Sequence, residues 1–501
     1  MFLNYINPLL FLLISLILSI FLLGFFYNRK FFIMNFTVQL CFTFLIQFFA
    51  LFLWLEFDPF LIITDFNRGF QFFFSFPFNT ILGINFVFGI DGFSLLFILL
   101  TVFIFTLCIF ASSIFKNFQP SFFFTLFVLE FILILVFSSL DLFLFYICFE
   151  ASLIPMFFII GFWGSRARKI KAVFYLFLYT MATALLTLLG IFYIFLQVGS
   201  TFYPDLLNYN FSENEQLFLC LCLFLTFATK IPMVPFHIWL PEAHVEAPTI
   251  GSVILASILL KLGGFGFLRF LLPLFPFATN FYLPFIYTLG ICSVIYASFT
   301  TIRQIDLKRI IAYSSIAHMN MVVLGIFANN WQGLEGAIYL MIGHGIISSA
   351  LFFLVGIVYD RYHTRLLRYY GGLIQVMPIF GIFFFLFTLG NIGFPGTSNF
   401  IGETLILVGI FEKNIIISIF AGFGIIVSAV YSMFLYNRVF FGTLKLNYGF
   451  YFIDIIWIEF LIIVPLIFFM FIFGINSTFI LNICYLNIEQ LLLYSNFLQC
   501  H

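Results

Sequence analysis

A lysine in the middle of an apolar run has one ready use: it can hold a proton where water is scarce. The sequence places one at Lys230 in "ATKIPMVPFHIWLPEAH" and another at Lys261 in "SVILASILLKLGGFGF". Two glutamates have comparable surroundings, Glu150 in "FYICFEASLIPMFFII" and Glu403 in "NFIGETLILVGIF". So do two histidines, His318 in "YSSIAHMNMVVLGIF" and His344 in "YLMIGHGIISSALFF". A charge at the centre of a membrane helix costs about 2.5–3.5 kcal/mol on insertion scales, so each such group is a functional hypothesis. Burial and a neighbouring opposite charge push a pKa in opposite directions. At ~7 Å and an effective dielectric of ~20, an ion pair is worth roughly 2 kcal/mol, more than one pKa unit. Making or breaking a Glu150–Lys230 contact would therefore switch whether Lys230 keeps its proton. Histidine titrates nearest neutrality and relays well. His237, in "VPFHIWLP", is placed to link such a path to the basic side of the membrane.

Other chemistries find no footing. "HIWLPEAHVE" offers nitrogen and oxygen ligands but lacks H-E-x-x-H spacing, and Pro241 breaks the helical face a zinc site would need. Glu242, His244 and Glu246 read instead as capping and solvating a connection. The eight cysteines (Cys41, Cys108, Cys148, Cys220, Cys222, Cys292, Cys484 and Cys500) include no C-x-x-C and fall in apolar segments, as small core residues do. No glycine-rich nucleotide loop is present, and no ligand set for haem or an iron–sulfur cluster. The chain is expected to bind no metal and no cofactor. Asp91 and Asp141 stand at helix starts, where an acid favours the terminus.

These residues are set in hydrocarbon. Of 501 residues, 64% are hydrophobic and 8% charged, with zero net charge. That composition excludes an ordinary soluble domain and argues against nucleic acid as a partner. Fourteen apolar runs, from 4–26 to 454–475, are each near the ~20 residues a helix needs to cross a bilayer. The first is a complete span in itself rather than a cleavable presequence. Only 56–88 and 198–215 are long connections. Arg29, Lys30, Lys116, Arg166, Arg168, Lys169, Lys171, Arg303, Lys308, Arg309, Arg361, Arg365, Arg368, Arg438 and Lys445 all follow odd-numbered runs. Arg68, Arg269 and Lys413 fall on the opposite side. The positive-inside rule then puts the odd connections in the cytoplasm or mitochondrial matrix.

Two runs are interrupted alike. "TKIPMVPFHIWLP" breaks the seventh and "LGNIGFPGTSNFIGE" the twelfth. Proline removes an N–H and frees carbonyls, which survive at membrane depth only beside protein or a hydrated cavity. The breaks are five runs apart, an odd number, so helices 4–8 and 9–13 read as two five-helix repeats of opposite orientation. Paired broken helices of this kind point to a transport path. The expected fold is an all-α membrane protein of about 14 helices. It divides into 1–119, a first repeat at 120–270, an inverted repeat at 271–440, and 441–501 with the last helix and tail.

The segment "KIPMVPFHIWLPEAHVEAPTIGSVILASILLKLGGFGFLRF" (230–270), with "FGIDGFSLLFILL", "YSSIAHMNMVVLGIF" and "NIGFPGTSNFIGETLIL", resembles the antiporter-like membrane subunits of NADH:ubiquinone oxidoreductase, respiratory complex I. The resemblance runs from about 88 to 440. It implies a fourteen-span, proton-translocating subunit of the membrane arm. The family's key glutamate then falls on Glu150, its lysines on Lys230 and Lys261, and its polar axis continues through His318 and His344 to Glu403. FMN, iron–sulfur clusters and ubiquinone would reside in partner subunits. Neighbouring antiporter-like subunits and lipids are the expected partners, and the mitochondrial inner membrane the expected location. From the residues alone, a sodium/proton antiporter subunit without redox coupling and a proton-impermeable scaffold stay open as alternatives.

Overall fold

The computed structural model describes residues 7–25, 32–60, 69–79, 84–113, 120–445 and 453–497. Arg29, Lys30, Arg68, Lys116 and Cys500, used above, lie outside them. Among the described residues, 11 helices are long and apolar enough to cross a membrane. This is fewer than the fourteen expected, and the difference has a local cause. The first run forms the helix Pro8–Phe25, whose end coincides with the end of the described residues there. The seventh and twelfth are each divided by their prolines and glycines.

Apolar runs do not say which helices face lipid, because hydrocarbon and a protein core accept the same side chains. The packing does. The most apolar 18-residue stretches of Thr249–Leu274 and Trp331–Tyr362 are 100% buried and that of Leu307–Phe327 94%, against 33% for those of Lys169–Val198 and Ile415–Phe440. Lys261, His344 and His318 belong to the three buried helices. Close approach is built from small residues, as membrane helices require where hydrophobic burial gives no drive. A Cβ added to Gly402 would lie 2.8 Å from the Leu340 backbone, and one on Gly336 2.7 Å from the Ile406 nitrogen. This lets Trp331–Tyr362 press against Ser398–Lys413.

The seventh run forms Glu213–Lys230, turns through 231–235, and resumes as a single turn Phe236–Ile238 followed by Trp239–Glu246. Its freed carbonyls find new donors. The Trp239 indole donates to the Thr229 carbonyl at 2.9 Å, the Asn320 amide to that of Pro232 at 3.3 Å, and the Met233 N–H to that of Ala228 at 3.1 Å. The twelfth run stops at Ile392, where Gly393 takes φ +77°, a left-handed cap that glycine adopts without strain. It restarts as Ser398–Lys413.

Two features were not in the expected fold. The connection 56–88 contains an antiparallel hairpin, Gln71–Asn79 with Ile84–Ile90, which sets Phe74 opposite Phe88 and Phe76 opposite Phe86. Two strands cannot close into a spanning barrel, and phenylalanine-rich extended chain pairs well. The tail, beyond the last helix expected, contains a further helix, Thr478–Phe497, which packs against Gly92–Ala111 and Trp331–Tyr362.

Candidate functional site

Lys230 ends its half-helix and is 4% exposed. The carbonyl end of a helix favours a cation. Its ammonium donates to the Phe149 carbonyl at 3.4 Å and lies 4.4 Å from the centre of the Phe149 ring. The same carbonyl accepts the Ser152 hydroxyl at 2.7 Å, at the point where the neighbouring helix is itself divided into Leu142–Ala151 and Leu153–Trp163. Glu150 precedes this break. Each of Glu150 and Lys230 feels the other's charge. No direct ion pair joins them among the described residues, and the Glu150 Oε2 atom is buried without a partner there.

The second group is a file of contacts. Lys261 is fully buried, and its ammonium donates to the Ala256 carbonyl at 2.7 Å. Ala256 belongs to a wide π turn, Leu255–Leu259, inside Thr249–Leu274, and such turns release carbonyls from the α ladder. The same ammonium lies 2.9 Å from Nδ1 of His344. The His344 and His318 rings follow, with centres 5.6 Å apart. His318 Nδ1 is then 3.1 Å from Glu403 Oε1. Four titratable side chains from four helices thus stand in line across the bundle, each 4% exposed or less. Lys230 and Lys261 are not in contact.

The second break seats the end of this file. Glu403 Oε2 rests against Gly393 so closely that a Cβ there would approach it to 2.5 Å. Gly393→Ala should displace the carboxylate from His318 and strain a φ of +77° besides. A shift of this size at a transfer step costs about tenfold or more in rate. The expected result is normal assembly with proton uptake slowed in sealed vesicles, read with a pH-sensitive dye.

His237 stands apart from both groups. It is buried, edge-on to Tyr296 with ring centres 5.3 Å apart, with Nδ1 unpartnered among the described residues. The residues after it correct the sequence reading. Glu242, His244 and Glu246 do not solvate an exposed connection. His244 is 0% exposed, stacked on Phe352 at 4.8 Å with neither ring nitrogen partnered among the described residues, and it feels the charges of Lys308 and Lys261. Glu246 is buried as well. Glu242 pairs with Arg309 at 2.7 Å, Lys308 donates to the Ala247 carbonyl at 2.9 Å, and Arg365 to that of Val245. The acidic stretch is thus locked to the basic side by three cations. Asp91 and Asp141 do cap helices, accepting from the Ser94 N–H at 2.9 Å and the Phe143 N–H at 2.8 Å.

Two buried groups escaped the sequence reading. Glu130, in the midst of Pro120–Ser138, is 1% exposed with Oε2 unpartnered among the described residues, and the rule that singled out Glu150 applies to it equally. Arg269 and Asp91 form a buried ion pair at 2.7 Å. Separation by 178 residues hid that pair.

A bundle of apolar helices that holds buried lysine, histidine and glutamate side chains in file defines a multi-pass membrane protein with an internal titratable axis. Residues 139–429 match the family described as NADH:quinone oxidoreductase/Mrp antiporter, TM, and the chain belongs to that family. It is similar to the NADH-ubiquinone oxidoreductase chain 4 of Chondrus crispus, 54% identical over 428 residues (85% of each chain). That of Marchantia polymorpha is 53% identical over 421 residues (84% of each). That of Arabidopsis thaliana is 51% identical over 429 residues (85% of this chain, 86% of the other). Among solved structures, a chain of respiratory complex I from Thermus thermophilus with bound NADH superposes with TM-score 0.86 at 25% identity, covering 96% of this chain and 99% of that one. A chain of an archaeal membrane-bound sulfane sulfur reductase shares the fold, with TM-score 0.82 at 19% identity over 95% of this chain and 77% of its own.

Proposed function

We propose that the chain is a proton-translocating subunit of the membrane arm of an NADH:ubiquinone oxidoreductase in the mitochondrial inner membrane. Other subunits would oxidise NADH and reduce quinone. The observation that supports this best is the file of neighbours Lys261–His344–His318–Glu403, with contacts of 2.9 Å and 3.1 Å at its ends and the two histidine rings 5.6 Å apart between them. A file of this kind moves protons by short exchanges between neighbours rather than by carrying an ion through a pore.

In the proposed cycle, a charge change arriving along the membrane arm alters the Glu150–Lys230 interaction, and Lys230 gives up its proton towards Lys261. The Lys261 ammonium passes a proton to Nδ1 of His344. The His344 and His318 rings hand it on, and Glu403 receives it beside the second break and exchanges it with the outer side. His237 and His244 would supply the path from the basic side, the first at the seventh break and the second between Lys308 and Lys261. We also read 120–270 and 271–440 as the two inverted repeats, each contributing one broken helix and one end of this axis.

Glu150→Gln and Lys230→Ala test the proposal in the assembled complex. Both should assemble, yet lower proton pumping and coupled quinone reduction by about tenfold or more, as loss of a proton-transferring group does. Wild-type pumping in both would remove the pair from the mechanism. The alternative of a sodium/proton antiporter subunit predicts a different outcome: purification without flavin- and iron–sulfur-containing partners, and transport that follows sodium.

A further inference from the structure

On the basic side of the bundle, a groove of about 770 Å³ opens between the end of Pro276–Arg303, the turn near 367–371, and the end of Ile415–Phe440 with the residues after it. Arg368, Arg438 and Lys445 line it, and all three are exposed. No acidic side chain lines it, and none of the three cations enters an ion pair among the described residues. What holds them is not opposite charge. The Arg438 guanidinium lies 5.1 Å from the centre of the Phe434 ring, and the Lys445 ammonium donates to the Arg368 carbonyl at 2.7 Å. The walls are fastened to each other. The Gly372 N–H donates to the Phe441 carbonyl at 3.1 Å, and a Cβ on Gly371 would meet the Thr443 carbonyl at 3.1 Å. The remaining lining includes Ile302, Phe434 and Phe441, at the ends of the two long apolar helices.

Cations without acids, gathered where membrane helices end and set above apolar side chains, match one kind of molecule. We propose that this groove binds an anionic phospholipid. Its phosphate sits among Arg368, Arg438 and Lys445, and its acyl chains run along Ile302 and Phe434 into the bilayer. Basic pockets between membrane helices on this side attract anionic headgroups, and each nearby Lys or Arg adds to the attraction. A free phosphate would leave the apolar lining unused. A neutral lipid would leave the three charges uncompensated. The proposal is independent of the proton-transfer reading, since none of these residues belongs to that axis.

The test uses the assembled complex, delipidated and then supplied with phospholipids carrying a photoreactive group in one acyl chain. Phosphatidylglycerol and phosphatidylcholine probes of identical chains are compared, and cross-links to 302–305 and 434–445 are mapped by mass spectrometry. About fivefold or more labelling by the glycerol headgroup over choline is expected in the wild type. The preference should vanish in the Arg368→Gln, Arg438→Gln, Lys445→Gln triple variant and weaken in Lys445→Gln alone. It should persist in excess inorganic phosphate. Equal labelling by the two probes overturns the proposal without any variant. So does labelling abolished by inorganic phosphate, which would indicate a free-anion site, and so does absence of labelling by either probe, which would mean that polypeptide covers the groove.

Discussion

Lys261→Met should abolish coupled proton transport while leaving the complex as stable as the wild type, or more stable. Both halves of this result follow from the surroundings of the ammonium. It is fully buried and is held by one carbonyl at 2.7 Å and one imidazole nitrogen at 2.9 Å, with no carboxylate against it. A buried cation held by neutral groups is an expense to the fold, and an apolar side chain of similar length removes that desolvation cost. The same change deletes the donor to His344, so the file loses its first member and transport should fall by about tenfold or more. Lys261→Arg sharpens the test. A guanidinium keeps the positive charge but does not release a proton in a protein, so the variant should assemble and still fail to pump. The two replacements differ in charge and share only the inability to exchange a proton. If Lys261 were a structural post in an impermeable scaffold, the order would reverse: methionine would lower the melting temperature, and arginine would leave proton flux where it was. Thermal inactivation and dye-reported proton uptake on the same preparations decide between the two.

The members of this axis could be read from sequence because each is an ionisable residue in an otherwise apolar run, and the cost of that placement does not depend on which way the side chain points. The two breaks could be read for a similar reason: Pro232 with Pro235, and Gly393 with Pro395, each put two helix-disfavouring residues within one turn, whereas single prolines such as Pro284 and Pro465 are carried inside continuous helices. A hydrophobic run, however, reports depth in the membrane and not direction around the helix. His244 therefore looked like a capping residue beside Pro241 and Glu242, though it is buried against Phe352 and near Lys261. Nothing in "SVILASILLKLGGFGF" foretells the π turn that frees the Ala256 carbonyl for Lys261. Glu130 met the criterion applied to Glu150 and needed only consistent use of it. The helix of the tail was not legible because the residue that docks it, Asn487, is polar, and its partner Asp91 lies 396 positions earlier.

Arg269→Met should be the most damaging single change outside the proton axis, through assembly rather than transport. Asp91 is the hub of this cluster. One of its carboxylate oxygens caps Gly92–Ala111 through the Ser94 N–H at 2.9 Å and takes the Arg269 guanidinium at 2.7 Å. The other accepts the Asn487 amide at 3.0 Å, whose own oxygen takes the Gly92 N–H at 3.0 Å. The guanidinium is wrapped by Phe70, Phe265 and Tyr203, with ring centres at 4.8, 5.2 and 5.8 Å. One ion pair thus joins the third helix, the end of the helix bearing Lys261, the root of the hairpin and the C-terminal helix. Its partners are 4% and 3% exposed, so removing one strands the other away from water, at a cost of about 3–5 kcal/mol. Arg269→Met and Asp91→Asn should each lower the yield of assembled complex sharply and speed its thermal inactivation. The double variant should recover much of the loss, because no charge is then left unpaired. Whatever complex does assemble should pump with the wild-type ratio of protons to electrons, since the pair makes no contact with the Lys261–Glu403 file. Single variants that inactivate at the wild-type rate, or a double variant worse than either, would show that the bundle does not depend on this contact.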